Sequence, residues 1–109
     1  MIQEIKAIIR PERLPQVLHA LHTVPDLPGV TISTVRGFGR RYPLGPETAF
    51  DEVEMMKLEI VVPTALAQDV VHLIERSAHT GRVGDGKIFV IPVEAVIRIR
   101  SGERDGSAL

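Results

Sequence analysis

A glycine-rich segment that ends in a lysine is the stretch of this sequence most suited to chemistry. Residues 80–87 read Thr-Gly-Arg-Val-Gly-Asp-Gly-Lys, and an apolar run begins directly after Lys87. Glycine lets the backbone turn at positive φ, and it lets main-chain N–H groups approach a ligand without a Cβ in the way. A lysine at the end of such a loop supplies a mobile positive charge suited to phosphate. The same composition also suits a tight turn between a helix and a strand, so both interpretations stay open at this point.

Two common nucleotide-binding folds do not fit this segment. The P-loop pattern G-x-x-x-x-G-K-[ST] fails at Ile88, which stands where a hydroxyl residue is required. The segment also follows a predicted helix and precedes a predicted strand, the reverse of the order in P-loop and dinucleotide-binding folds.

Two arginine pairs could complete an anion site. Arg98 and Arg100 are two residues apart in a predicted strand, so both side chains leave the same face. Arg40 and Arg41 follow the bend Gly37-Phe38-Gly39. Arginine geometry suits phosphate oxygens. Taken separately, however, the first pair can also be a solvated strand face, and the second can also be the charged start of a loop. Since no general base or nucleophile accompanies them, the set indicates binding of a polyphosphate rather than its cleavage.

Four histidines were considered as metal ligands. His19 and His22 are three residues apart on the first predicted helix, and His72 and His79 are seven apart on the second. Either spacing places both side chains on one helix face. A solvated helix face explains each pair without a metal, because no third ligand lies within sequence reach.

The composition indicates one globular domain, residues 1–109. Apolar residues make up 44%, charged residues 25%, and the formal net charge is -1, which argues against a general nucleic-acid binder. There is no cysteine, and therefore no disulfide, thiolate metal site or cysteine nucleophile. No apolar run approaches the roughly 20 residues that span a bilayer, and the first residues lack a signal-peptide pattern. We therefore expect a cytoplasmic protein.

Hydrophobic periodicity predicts an α+β chain. Alternation predicts strands at residues 2–10, 30–35, 56–62, 87–92 and 95–100, and stripes at three- and four-residue spacing predict helices at residues 12–22 and 64–79. The order βαββαβ is the ferredoxin-like split, an antiparallel sheet with two helices on one face. Residues 41–54 form a long predicted loop, and the polar tail 101–109 is expected to be flexible. Apolar residues on both faces of several strands predict oligomerisation.

Four segments together resemble the PII signal-transduction proteins. The glycine loop matches the family signature T-G-x-x-G-D-G-K-I-F, and residues 93–103 resemble its strand with paired arginines. Residues 35–40 are similar to the G-F-G-R start of the family's T-loop, and residues 8–11 to the end of its first strand. The match follows nearly the whole chain in order.

The resemblance implies a homotrimer that binds ATP or ADP between subunits and controls a target protein through its T-loop, without being an enzyme. The family's motifs place nucleotide contacts at Thr31, Gly37, Phe38, Gly39, Arg40, Val61, Gly84, Asp85, Gly86, Lys87, Arg98 and Arg100. In this set the loop residues would wrap the phosphates, the last two arginines would add charge from the same cleft, and Thr31 and Val61 would meet adenine. Target contacts would come from Arg41, Tyr42, Glu47, Phe50 and Asp51.

Three departures from the family pattern bear on its effector, 2-oxoglutarate. Arg41 replaces the glutamine that helps to hold Mg²⁺, and Met55 replaces a lysine that meets the effector. The T-loop, residues 41–54, is about five residues shorter than usual and lacks the tyrosine segment that is uridylylated in many members. We therefore do not expect 2-oxoglutarate sensing, and a role for Mg²⁺ stays open. The loop resembles that of PII-like proteins found beside heavy-metal efflux pumps, so the expected target is a membrane transporter or efflux pump.

The alternative is a trimeric metal-tolerance protein like the CutA relatives, which share the fold. The four histidines and the acidic loop would then bind divalent metal directly. Such chains lack the T-G-x-x-G-D-G-K loop, and this difference separates the two hypotheses.

Overall fold

The computed structural model describes residues 1–38 and 52–109. Its strands are β1 (Ile2–Ile9), β2 (Val30–Phe38), β3 (Glu52–Pro63) and β4 (Gly86–Val93), and its α-helices are α1 (Leu14–Leu21) and α2 (Thr64–Ala78). Short 3₁₀ turns occupy Pro11–Arg13 and Asp105–Ala108. No helix within the described residues is long and apolar enough to cross a membrane.

The strands form one antiparallel sheet in the order β2-β3-β1-β4. β1 lies inside the sheet, where Ile5 faces Ile60 of β3 on one side and Val90 of β4 on the other. This strand order, with two helices against the sheet, confirms the predicted ferredoxin-like α+β fold.

Alternation along β1 and β3 separates a buried face of the sheet from an open one. Ile5, Ala7 and Ile9 are at most 1% exposed, and they pack with the buried stripes of β3 and α2. On the opposite face of β4, Phe89 and Ile91 are 45% and 36% exposed. The helices therefore cover one face only, and the other presents apolar side chains to solvent in the single chain.

The described ends of the long loop are more regular than the sequence predicts. β2 continues to Phe38, and β3 begins at Glu52 rather than at Met56, so residues 52–54 belong to a strand and not to the loop. Because β1 stops pairing with β3 at Met56, residues 52–55 pair with β2 alone, as a two-stranded ribbon. The remaining predicted contact residues of this region lie outside the described residues: Gly39, Arg40, Arg41, Tyr42, Glu47, Phe50 and Asp51.

The predicted last strand, residues 95–100, is wrong for the single chain. Only an isolated bridge joins Ile97 to Arg104, and a turn follows it, in which the Gly102 N–H donates to the Arg98 carbonyl at 2.8 Å. Alternating isoleucine and arginine suit a strand, but a strand also needs a partner, and none of the four described strands pairs with this segment. The tail, which was expected to be flexible, turns back as a 3₁₀ turn with a Ser107 N–H to Arg104 carbonyl bond of 3.2 Å. Its mobility in solution stays a prediction.

Candidate functional site

The glycine loop connects α2 to β4 through three glycines at positive φ. Gly81, Gly84 and Gly86 have φ of 85°, 99° and 98°, values that side chains with a Cβ rarely adopt. At Gly86 a Cβ would lie 1.7 Å from the Ile8 carbonyl oxygen. Glycine is therefore required there both by backbone conformation and by the close approach of β4 to β1.

The Asp85 carboxylate holds the loop together from inside. It accepts hydrogen bonds from the Thr80 N–H at 2.8 Å, the Gly81 N–H at 2.9 Å and the Thr80 hydroxyl. It also accepts one from Arg10 Nε at 2.8 Å. These partners, the Thr80 hydroxyl first and Arg10 next, hold the pKa of Asp85 far below its usual range, so the group is ionised at neutral pH. Its bonds are thus made within the protein, whereas the sequence predicted that it faces the phosphates.

Arg10 is a residue of this site that residue type and spacing do not predict. It leaves the end of β1 and reaches Asp85, which is 75 residues away in the chain, and its Nη2 donates to the Val83 carbonyl at 2.7 Å. Its side chain is 19% exposed. No local sequence pattern predicts such a contact, because it depends on how the first strand and the glycine loop meet in the folded chain.

A cleft of about 1030 Å³ lies between the glycine loop and the start of the β2–β3 ribbon. It brings together six of the predicted nucleotide contacts: Gly37, Phe38, Gly84, Asp85, Gly86 and Lys87. Met55 and Val53 of β3 also line it. Within the described residues Lys87 has no carboxylate partner within ion-pair distance. In the part of the chain that the structure describes, the cleft thus combines this lysine with an open glycine backbone, which suits an anion, and it also has Glu12 and Glu54 in its lining.

The other predicted contacts lie elsewhere on the same chain. Thr31 and Val61 line a separate pocket of about 360 Å³ together with Val96 and Leu109. Since Thr31 is six residues along β2 from Gly37, the strand rise puts the two roughly 20 Å apart. One chain thus presents the predicted adenine contacts and the glycine loop as two separate surfaces.

The two arginines of the predicted last strand do not share a strand face here. Arg98 donates to the Leu109 backbone oxygen at 2.8 Å and pairs with Glu103 at 3.4 Å. Arg100 lies in the exposed turn that follows. In this chain neither is brought to the glycine loop.

Metal-ligating side chains do not converge in the part of the chain that the structure describes. Among residues 1–38 and 52–109 no three histidine, cysteine or acidic side chains gather closely enough to hold an ion. His72 instead lies 3.8 Å from Glu75 on the exposed surface of α2.

Comparison with known proteins assigns the family. The sequence model of the family described as Nitrogen regulatory protein P-II matches residues 2–103. The chain belongs to the P-II family. P-II proteins are regulatory signal transducers rather than enzymes, and the membership decides against the metal-tolerance alternative.

Individual P-II proteins match over their whole length. The chain is 42% identical to "Nitrogen regulatory protein P-II" of Azospirillum brasilense and 43% identical to "Nitrogen regulatory protein P-II 1" of Escherichia coli K12. Each match covers 99% of this chain and 100% of the relative. Among solved structures, Arabidopsis thaliana PII bound to citrate superposes with a TM-score of 0.84 at 44% identity, covering 99% of this chain and 92% of that one.

Proposed function

We propose that this P-II protein is a regulator that binds ATP or ADP at the cleft between the glycine loop and the β2–β3 ribbon. The observation that carries the proposal is the convergence of Gly84, Gly86 and Lys87 with Gly37 and Phe38 around one cleft. Main-chain N–H groups and a free lysine are donors that suit phosphate oxygens. The Asp85 oxygens are engaged within the loop and are not available as a base, and P-II proteins are regulators rather than enzymes. The proposed role is therefore binding and signalling.

The division of the predicted contacts into two surfaces supports a homotrimer with its nucleotide sites between subunits. Thr31, Val61 and Arg98 would meet the glycine loop of a neighbouring copy, because they do not meet their own. The exposed apolar face around Phe89 supplies surface that such an assembly would bury. The trimer is expected to have close to three times the 12.0 kDa mass of one chain.

In the cytoplasm, a target protein would bind this regulator through its T-loop, which the sequence predicts at residues 41–54 and whose last three residues belong to β3. Its sequence carries the predicted contacts Arg41, Tyr42, Glu47, Phe50 and Asp51. Its likeness to PII-like loops found beside heavy-metal efflux pumps favours a membrane transporter or efflux pump as the target. A pull-down with a purified candidate transporter tests this. Retention by the immobilised wild-type protein, but not by a variant with residues 42–50 replaced by glycine and serine, would support the proposal.

Calorimetric titration of ATP and ADP into the purified protein tests nucleotide binding. We expect saturable binding that Lys87→Gln weakens by about tenfold or more, because that variant removes the free cation. Lys57→Gln is the matched control, since Lys57 lies 3.6 Å from Glu59 and does not line the cleft. No binding of either nucleotide at millimolar concentration would overturn the proposal.

The effector 2-oxoglutarate is expected to have no effect on this binding. Met55 lines the cleft where the resemblance places an effector-binding lysine, and Arg41 would repel Mg²⁺. Adding 2-oxoglutarate with Mg-ATP should leave ATP affinity unchanged, and clear synergy would contradict this. The double variant Arg41→Gln with Met55→Lys provides the positive control, because it restores both family residues and should gain a response to 2-oxoglutarate.

A further inference from the structure

Arg10 joins the first strand to the glycine loop at two points. Its Nε donates to the Asp85 carboxylate at 2.8 Å, and its Nη2 donates to the Val83 carbonyl at 2.7 Å. Only a planar fork of donors reaches a carboxylate and a carbonyl side by side, whereas a lysine offers one compact charge. We infer that Arg10 is a positioning residue for the anion site, and that it sets which way the loop's amide groups point.

The Val83–Gly84 peptide shows how this works. In a planar trans peptide the N–H points opposite to the carbonyl that precedes it. Because the Val83 carbonyl is directed at Arg10, the N–H of Gly84 is directed away from Arg10. Within the described residues this N–H donates to no protein acceptor, and Gly84 lines the cleft. Arg10 therefore presents a free amide donor by holding the other side of the same peptide.

Through Asp85, the contact with Arg10 also helps to fix the start of the loop. The carboxylate that Arg10 contacts also accepts the N–H groups of Thr80 and Gly81, so one guanidinium fixes both halves of the turn. Gly84 fits closely under it, since a Cβ there would lie 3.4 Å from Arg10 Nη2. The neighbouring Arg82 lacks such contacts: its guanidinium is 3.8 Å from Glu12, and its side chain is 65% exposed.

This inference rests on the proposed nucleotide binding, and Arg10→Lys tests it directly. The variant keeps the positive charge, so a loss of affinity reports lost geometry rather than lost attraction to phosphate. We expect ATP affinity to fall by about tenfold, because one of the two contacts cannot be made. Arg76→Lys is the matched control, since Arg76 is an exposed arginine of α2 that does not line the cleft, and it should bind ATP as the wild type does.

A double-mutant cycle separates positioning from direct contact. Because Arg10 holds the loop partly through Asp85, the losses in ATP affinity caused by Arg10→Lys and Asp85→Asn should be clearly less than additive when the two are combined. Full additivity would overturn the inference, because it would show that the contact between Arg10 and Asp85 does not set the loop.

The amide NMR signals of the loop test the positioning role of Arg10 in the absence of any ligand. In the free protein Arg10→Lys should shift the Gly84 and Gly81 amide signals, whereas Arg76→Lys, on α2, should shift neither. Unchanged signals together with wild-type ATP affinity would overturn the positioning role and leave the proposed function intact. A wild-type protein that binds neither ATP nor ADP would instead overturn the proposed function, and the amide signals would still decide whether Arg10 sets the loop.

Discussion

Gly84 and Gly86 share a backbone conformation but not an environment. Both have φ near the same positive value, 99° and 98°. Behind Gly86 stands the backbone of Ile8, whereas the nearest atom to a Cβ on Gly84 is the end of the Arg10 side chain. The first neighbour is fixed by sheet pairing between Ile9 and Gly86, and the second can shift.

The two glycines should therefore respond differently to alanine. Gly86→Ala is expected to cost about 3 kcal/mol or more in the free energy of unfolding, because the strained φ adds to a backbone clash. Gly84→Ala should cost about 1 kcal/mol, mainly for the strained φ. Urea unfolding of both variants measures the difference, and equal losses would show that the close approach at Ile8 does not matter.

The ionised Asp85 makes the loop's contribution to stability sensitive to acid. Because the folded state lowers the pKa of this group, the unfolded chain binds a proton first as the pH falls. The contribution is complete above the unfolded pKa of about 3.9 and is lost as the pH falls below it toward the folded pKa.

Unfolding of Asp85→Asn compared with the wild type measures this effect. The difference in unfolding free energy should be constant between about pH 5 and pH 7 and should shrink below about pH 4. Asp69→Asn, at an exposed position of α2, is the control. A difference that stays constant down to pH 3 would contradict the assignment.

At the level of single residues, the sequence predicted the cation of the site and its glycines, but not the side chain that holds the glycine loop in place. Lys87, Gly84 and Gly86 follow from residue type and spacing alone. Arg10 could not be predicted, because its partner is distant in the chain. The inward orientation of Asp85 rests on the local donors Thr80 and Gly81 as well as on that contact.

Among the elements, the end of α2 is tied to the turn that precedes α1. Arg13 donates from Nε and Nη2 to the Ser77 carbonyl at 2.9 and 2.6 Å, in the last turn of α2. Helix ends leave carbonyls without helical partners, so a guanidinium there satisfies an acceptor and also complements the helix dipole.

Arg13→Ala should therefore lower the free energy of unfolding by about 1.5–3 kcal/mol, the usual range for hydrogen bonds that involve a charged group. The control is Arg76→Ala, which removes an exposed arginine from the same turn of α2 and should change stability by less than about 0.5 kcal/mol. Thermal or urea unfolding provides the comparison. Similar effects of the two variants would indicate that Arg13 acts only through its charge.

Most elements were predictable from periodicity, and the exceptions have a common cause. The alternation of β1 and the apolar stripe of α2 place the core residues Ile5, Ala7 and Ile74 correctly. The ends of β2 and β3 were misplaced because each strand continues only where the other pairs with it. Residues 95–100 have the strand pattern and lack the partner. Pairing across the chain, which periodicity does not report, decides all these cases.

For the whole molecule, the open sheet face is the feature with the largest consequence. Phe89 lies on it beside Lys6 of the neighbouring strand. In the single chain, an acidic residue at position 89 could pair with Lys6. In an assembly it would place a charge inside the buried interface between copies.

Phe89→Glu is therefore expected to leave the single chain folded and to prevent its assembly. Light scattering during size-exclusion chromatography should show a mass near 12.0 kDa for this variant and near three times that for the wild type. Gln68→Glu on the exposed side of α2 is the control and should remain assembled. A Phe89→Glu variant that retains the full mass would exclude this face as the interface.

The arrangement of the candidate site over the molecule was the part least accessible to sequence reasoning. The family resemblance gave the contact residues and put Arg98 and Lys87 in one cleft between subunits, which stays a prediction. In the single chain Arg98 contacts Leu109 and Glu103. The separation of the two surfaces in one chain is in keeping with the site between subunits that the family resemblance implies.

The bonds inside the glycine loop also bear on how quickly it can respond. Three glycines at positive φ, an Asp85 carboxylate with its donors, and the Arg10 fork define the loop before any ligand arrives. A preorganised loop spares a ligand the conformational entropy of ordering it. Arrival and departure of an anion then need no slow folding step of this segment, so the occupancy of the site can follow the concentration of its ligand closely.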